Sequence, residues 1–290
     1  MIVKIYVSTG FLPTHEIVAL AKAADELGYD GLGVPDHVVN FAQLETPYPY
    51  TEDGSRRWSE FTDWPDPWVL AGALAQCTNR IRFVTTVYVA GLRDPFSAAK
   101  SIGTAAVLTG GRVELGLGVG WCEEEFALMG QPFDGRGRRT EEAVRLMREL
   151  WRPGWTEFSG DHYVVPRVEM CPTPPAIPVL FGGLTDIALR RAARHDGWIG
   201  DLMTTDQAIA TATRLRRLRE DAGMAHEEFT VLAPLTDVFS RQDIARAEAG
   251  GITHILTQPW HYYGPAPDID SKIAGLERFR NDFELSATAV

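Results

Sequence analysis

The sequence predicts an α/β protein of the (β/α)8 barrel class, on three observations. Strand-like and helical stretches alternate eight times along 290 residues, the order that parallel strands with crossover helices produce. That length suits one barrel, and 45% apolar content supplies its core. No internal repeat, low-complexity tract or linker divides the chain, so a single domain over residues 1–290 is expected. An open doubly wound sheet stays as the alternative, because alternation alone does not specify closure.

The first β-rich run covers residues 2–7. A helical pattern over 15–27 follows and ends at Gly28, as helices commonly do. Residues 29–34 read as the second strand. A long irregular segment rich in Pro, Tyr, Trp and Phe then runs to Asp66 and forms an insertion. Residues 67–77 are helical, and RIRFVTTVY (80–88) is β-branched and strand-like. Pro95 opens the next helix at its favoured early position. Gly110 and Gly111 turn the chain into the fourth strand, 112–118. Helical pattern continues over 123–151, broken near GQPFDGRGR. Residues 152–178, rich in Pro and aromatics, form a second excursion after the fourth strand. IPVLFGG is the fifth strand, followed by a helix with Thr185 at its N-cap. WIGDL, FTVLAPLTD and GITHILTQ supply strands six to eight, with helices at 205–222, 242–249 and 269–285.

Net charge is −11, which argues against nucleic acid or an anionic membrane surface as partner. The three cysteines, Cys77, Cys122 and Cys171, match no zinc spacing and no closed disulfide framework. They suit a reducing, cytoplasmic setting. The N-terminal run is too short for a signal peptide, and no apolar run reaches the roughly 20 residues of a membrane span. A small-molecule substrate is the expected partner.

In a (β/α)8 barrel, sites gather at the C-terminal ends of the strands. Those ends here carry one acid/base candidate, His37, together with hydroxyls, bare backbone and aromatics. There is no metal motif and no nucleophile elbow. Such exits suit something flat and wide, a bound redox cofactor that carries the chemistry. VELGLGVGW (113–121) sharpens that reading. Each Gly in a regular element costs about 0.5–1 kcal/mol relative to Ala, and three at alternate positions leave one face of the strand bare. Gly116, deeper in the strand, is read as relieving crowding inside the barrel. Gly118 and Gly120, nearer the exit, are read as letting backbone approach a ligand. Gly182 and Gly183 precede a helix and either offer amides to a phosphate or form a common turn into that helix. His37 has two readings, a proton-transfer group or a histidine that fixes its loop. In the first insertion, Tyr48, Tyr50, Trp58, Phe61 and Trp64 line a hydrophobic substrate pocket, cover a cofactor, form an oligomer contact or simply pack. Arg56 and Arg57 are expected in solvent, with an anionic partner as the alternative.

GLGVPDHVV, NRIRFVTTVYVAGLRDPFSAAK, GGRVELGLGVGWCEEEFALMGQPFDGRGRRTEEAVRLMRELW and VLFGGLTDIALRRAARHDGWIGD together resemble the bacterial luciferase-like monooxygenase superfamily. The resemblance is strongest to its coenzyme F420-dependent oxidoreductase branch and extends from residue 2 to about 201. It implies a TIM barrel with insertions after strands 2 and 4, whose mouth holds F420 or FMN. It implies a cis peptide at Thr86–Val87 behind the ring, Val119 to Trp121 along the cofactor's side chain, and Gly182 and Gly183 facing its phosphate. The implied cofactor set is Asp36, Thr85, Thr86, Val87, Gly118, Val119, Gly120, Trp121, Phe181, Gly182, Gly183 and Leu184. Phe11, Trp58, Phe61 and Trp64 fall on the substrate side. His37 matches an active-site histidine of F420-dependent sugar and alcohol dehydrogenases. Trp121 stands where those enzymes carry a carboxylate, which places sugar or alcohol oxidation in doubt. F420 is a hydride carrier that does not activate oxygen. The FMN alternative is a monooxygenase fed by a separate flavin reductase, and the second alternative is a flavin or deazaflavin binder without turnover. A homodimer is implied by the resemblance alone.

Overall fold

A computed structural model of the chain describes residues 3–285; Ile2, counted above in the first strand, lies outside them. The strands in chain order are β1 (Lys4–Ser8), β2 (Gly31–Val34), β3 (Arg82–Thr85) and β4 (Val113–Leu117). A separate pair follows, β5 (Thr156–Ser159) and β6 (Val164–Val168). Then come β7 (Val179–Gly182), β8 (Gly197–Ile199), β9 (Thr230–Ala233) and β10 (His254–Thr257). All but β5 and β6 pair in parallel in one closed ring, with β10 returning to β1 through Lys4↔His254 to Val7↔Thr257. Closure decides against the open sheet.

The ring is wrapped by α1 (Thr14–Glu26), α2 (Pro67–Leu74), α3 (Pro95–Leu108), α4 (Glu123–Leu128), α5 (Arg136–Leu150), α6 (Asp186–Ala192), α7 (Thr205–Asp221), α8 (Arg241–Ala249) and α9 (Ile269–Asp282). Their starts follow from local chemistry. Asp66 and Asp94 each accept from two first-turn amides, with proline at the first helical position of α2 and α3. Thr185 caps α6 through the Ala188 amide, as its sequence predicts. The helical pattern over 123–151 resolves into α4 and α5, separated by a turn in which Gly130 and Gly135 take left-handed φ of 66° and 70°.

Two apolar layers hold the barrel. The larger lies between strands and helices. The smaller fills the lumen with Tyr6, Val84, Leu180, Ile199, Leu232 and Leu256. These bulky groups explain the small residues opposite them. A Cβ on Gly31 would enter the Tyr6 ring, and one on Gly33 would come within 2.6 Å of a Leu256 methyl. One on Gly116 would collide with the Thr85 carbonyl oxygen. The packing reading of Gly116 therefore holds.

One expectation changes. Residues 152–178 are not wholly irregular: β5 and β6 form an antiparallel hairpin there. Its turn is fixed by Glu142 on α5, which accepts from the amides of Asp161, His162 and Tyr163 at 3.0, 2.7 and 2.8 Å. Pro166 within β6 masked the strand in the sequence, since proline is confined to strand edges and bulges.

Candidate active site

At the C-terminal ends of the strands lies a cavity of about 900 Å3, within the range of small-molecule and cofactor sites. Among the sequence candidates, Phe11, Asp36, His37, Trp58, Trp64, Val87, Gly118, Val119, Gly120, Trp121, Gly182, Gly183 and Leu184 line it. Four do not. Phe181 is fully buried and packs outward against His195 and Arg191. The Thr85 hydroxyl is buried and donates to the Gly116 carbonyl. Thr86 is absent from the cavity wall. Phe61 is 93% exposed and also off the wall. Asp36 lines the cavity, but its carboxylate is engaged: Arg93 binds both oxygens at 2.6 and 2.7 Å, and the Val89 amide donates to one at 3.1 Å.

The glycine reading of strand β4 needs correction at two positions. A Cβ on Gly118 would meet the Val87 side chain at 2.5 Å, and one on Gly120 would strike the Phe126 ring. Gly120 also holds a φ of 82°, which L side chains rarely adopt. The room beside both glycines is filled by the protein's own side chains. What faces the cavity is main chain, and the glycines let Val87 and Phe126 sit close behind it. The peptide between Thr86 and Val87 is cis.

His37 follows β2 and meets a carboxylate that sequence reasoning missed. Its Nδ1 lies 3.1 Å from Oε2 of Glu125, the third residue of α4. The other Glu125 oxygen accepts from the Val38 amide at 2.6 Å. Burial works to raise the Glu125 carboxyl. The hydrogen bond and charge of His37, with the amides of Val38 and Val39, outweigh burial and hold it below the ordinary value. An ionised Glu125 accepts only, so it keeps a proton on Nδ1 and leaves Nε2 of neutral His37 with a lone pair. The imidazole side chain is 14% exposed, and the rings of Trp64, Trp58 and Trp121 stand 4.9, 5.1 and 6.0 Å from it.

The aromatics come largely from residues 38–66, which cross the cavity mouth. Arg57 in this segment forms a two-pronged ion pair with Asp201 just beyond β8, at 2.7 and 2.8 Å. From β2 to β8 is four steps round the eight-strand ring, so the segment is tied to the opposite side of the barrel. Glu124 holds its middle by accepting from the Glu45 and Thr46 amides at 2.7 and 2.8 Å. Burial acts to raise the Glu124 carboxyl, but these amides win and bring it down to about 2. Arg57 is thus paired, and Arg56 donates to Asn40 and Phe41; neither is a free solvated cation.

On the glycine-rich side, Arg136 at the start of α5 joins the wall. Its Nε donates to the Gly120 carbonyl at 2.9 Å, and its guanidinium lies 3.6 Å over the Phe133 ring. Gly183 has a φ of 121°, and its carbonyl accepts from Trp198 Nε1 at 2.8 Å, which fixes the turn. Arg136 carried a faint sequence signal as the first Arg of GRGRR. No group of metal-ligating side chains occurs among the described residues, and no helix there is long and apolar enough to cross a membrane.

Residues 5–282 match the family model described as luciferase-like monooxygenase. An uncharacterised protein of Mycobacterium tuberculosis is 38% identical over 90% of this chain and 92% of its own length. The F420-dependent glucose-6-phosphate dehydrogenase of Amycolatopsis mediterranei is 30% identical over 64% of this chain and 53% of its own. In fold, the chain resembles an F420-dependent secondary alcohol dehydrogenase solved with an F420-acetone adduct. That match has a TM-score of 0.75 and 17% identity, and covers 98% of this chain and 99% of the other.

Proposed function

The chain belongs to the luciferase-like monooxygenase family, and from that premise we propose that it is an oxidoreductase exchanging hydride between coenzyme F420 and a small organic substrate. The observation that carries this reading is His37 on the cavity wall, backed by Glu125 at 3.1 Å.

The residues present fit a flat cofactor. Main chain from Gly118 to Trp121 and at Gly182 and Gly183 offers close approach, Val87 and Leu184 offer apolar contact, and Arg136 supplies a cation in a chain of net charge −11. Of the sequence candidates for this role, Thr85, Thr86 and Phe181 lie off the wall, and the Asp36 carboxylate pairs with Arg93. When bound, the deazaflavin supplies a carbon that gains or loses hydride and leaves oxygen unreacted.

His37 does the proton work. Glu125 fixes Nδ1 as a donor, so Nε2 accepts the proton of the reacting group as hydride leaves the substrate, and returns it in the reverse direction. The imidazolium so formed has its counter-ion in place. The three indoles around it exclude water. The 30% identity to an F420-dependent dehydrogenase supports the choice of F420. An anaerobic assay with each cofactor tests it. Substrate-dependent bleaching of F420 that ignores oxygen is the expected result. Oxygen consumption with reduced FMN, and none of that bleaching, would replace it with a monooxygenase.

A further inference from the structure

The cavity offers almost no free charge. The carboxylates of Asp36, Glu125 and Asp201 are each paired, with Arg93, His37 and Arg57. His261 shares a 3.0 Å contact with Gln258, and burial lowers its pKa, with Lys272 adding to the effect. Among the described residues, Arg136 is the one arginine on the wall with no carboxylate in ion-pair contact. It lies at Gly120, in the stretch assigned to the cofactor.

The wall around His37 is aromatic instead. Phe11 stands over Trp58 at 6.2 Å with an interplanar angle of 21°, and edge-on to Trp64 at 5.8 Å. Tyr48 closes on Trp58 and Trp121 at 5.3 and 5.2 Å. Burial pushes the Tyr48 hydroxyl up to about 12, so it stays neutral. Trp64 Nε1 is buried without a hydrogen-bond partner. An ionised phosphate or carboxylate brought here would lose its water and gain no counter-ion. A flat apolar molecule would gain ring contacts.

We infer that the substrate is a neutral, largely apolar, ring-bearing molecule with one small uncharged polar group directed at His37, and that phosphorylated or carboxylated molecules are rejected. This rests on the proposed function for the role of His37, but not on which cofactor is bound.

Calorimetric titration with 2-naphthol and with 2-naphthyl phosphate tests it, on the wild type and on Arg136→Ala, where the ester cannot lodge on that cation. In Arg136→Ala, 2-naphthol is expected to bind about tenfold or more tighter than 2-naphthyl phosphate does. Trp64→Ala should weaken 2-naphthol about fivefold and leave F420 affinity unchanged; if that variant does not fold, Trp64→Leu, which keeps bulk and removes the indole, serves in its place. Equal or tighter binding of the phosphate in Arg136→Ala, or indifference of 2-naphthol to the loss of the indole, overturns the substrate class. F420 titration of the wild type separates the two readings: its failure to bind F420 removes that cofactor and leaves the naphthol preference standing.

Discussion

His37 and His254 sit at opposite ends of one barrel, each against an aromatic ring, yet only one opens onto the cavity. His254 begins β10 at the floor. It is 6% exposed and stands edge-on to Tyr6 at 5.1 Å. Its Nδ1 lies 2.7 Å from the Thr253 hydroxyl, and the carboxylate held by Tyr6, Glu114, accepts from that tyrosine's hydroxyl at 3.0 Å and from Arg82 at 2.5 Å. Burial, with the charges of Lys4 and Arg82, pushes the pKa of His254 down to about 3, so the ring is neutral throughout the physiological range. His37 has its own carboxylate on one nitrogen and the cavity on its other side. The difference teaches that a histidine becomes usable when its far side is fixed by a charge and its near side is open. Burial beside the cations Lys4 and Arg82 silences it.

Substituting each histidine is the strongest way to break the comparison. His37→Ala is expected to lower turnover by about 10²–10⁴-fold, the usual worth of a positioned acid/base, with cofactor affinity retained. His254→Leu should leave turnover near that of the wild type. Steady-state kinetics and a cofactor titration on both variants check this. Equal losses in the two would erase the distinction between floor and mouth.

A second prediction bears on the floor. Glu114→Ala leaves Arg82 without its partner and the Tyr6 hydroxyl without its acceptor. Removing one member of a buried ion pair costs roughly 3–5 kcal/mol. Arg82 is 30% exposed, which places the expected loss near the lower end. Urea unfolding measures it, and cofactor affinity should hold because the cluster lies away from the cavity wall. An unchanged unfolding midpoint would mean that the floor contacts stabilise nothing.

The barrel was legible because its strands are short apolar runs separated by capped helices, and both signals are local. His37 was legible because strand exits are where barrels place chemistry. Its partner was not. Glu125 is one of three consecutive glutamates, and nothing in that run says which one turns inward; α4 directs Glu125 to His37 and Glu124 to the amides of the crossing segment. Phe181 was misplaced for a related reason. Neighbours on a strand face opposite ways, and Leu180, not Phe181, points into the lumen. The alternating glycines were read as crowding only at Gly116; at Gly118 and Gly120 the crowding groups, Val87 and Phe126, come from a distant stretch and a later helix that the strand's own sequence does not name.

The smallest expected effect concerns the tie that separates the two histidines. In the folded protein burial opposes ionisation of Glu125, while His37 and the Val38 and Val39 amides favour it more strongly, so its pKa is lowered. A carboxyl lowered on folding contributes stability that is fully present above its unfolded value, about 4.3, and is lost as the pH falls through the folded value. Glu125→Gln keeps the shape and removes the charge. The variant should be less stable than the wild type at pH 7 by about 1–2 kcal/mol, the difference between a charged and a neutral hydrogen bond. That gap should close as the pH drops below about 4, because the wild-type carboxyl is then losing its charge too. Urea unfolding of both proteins across that range reads the gap directly. A gap of constant size from pH 7 to pH 3 would mean that no ionised carboxylate faces His37, and the mouth histidine would then differ from the floor histidine in exposure alone.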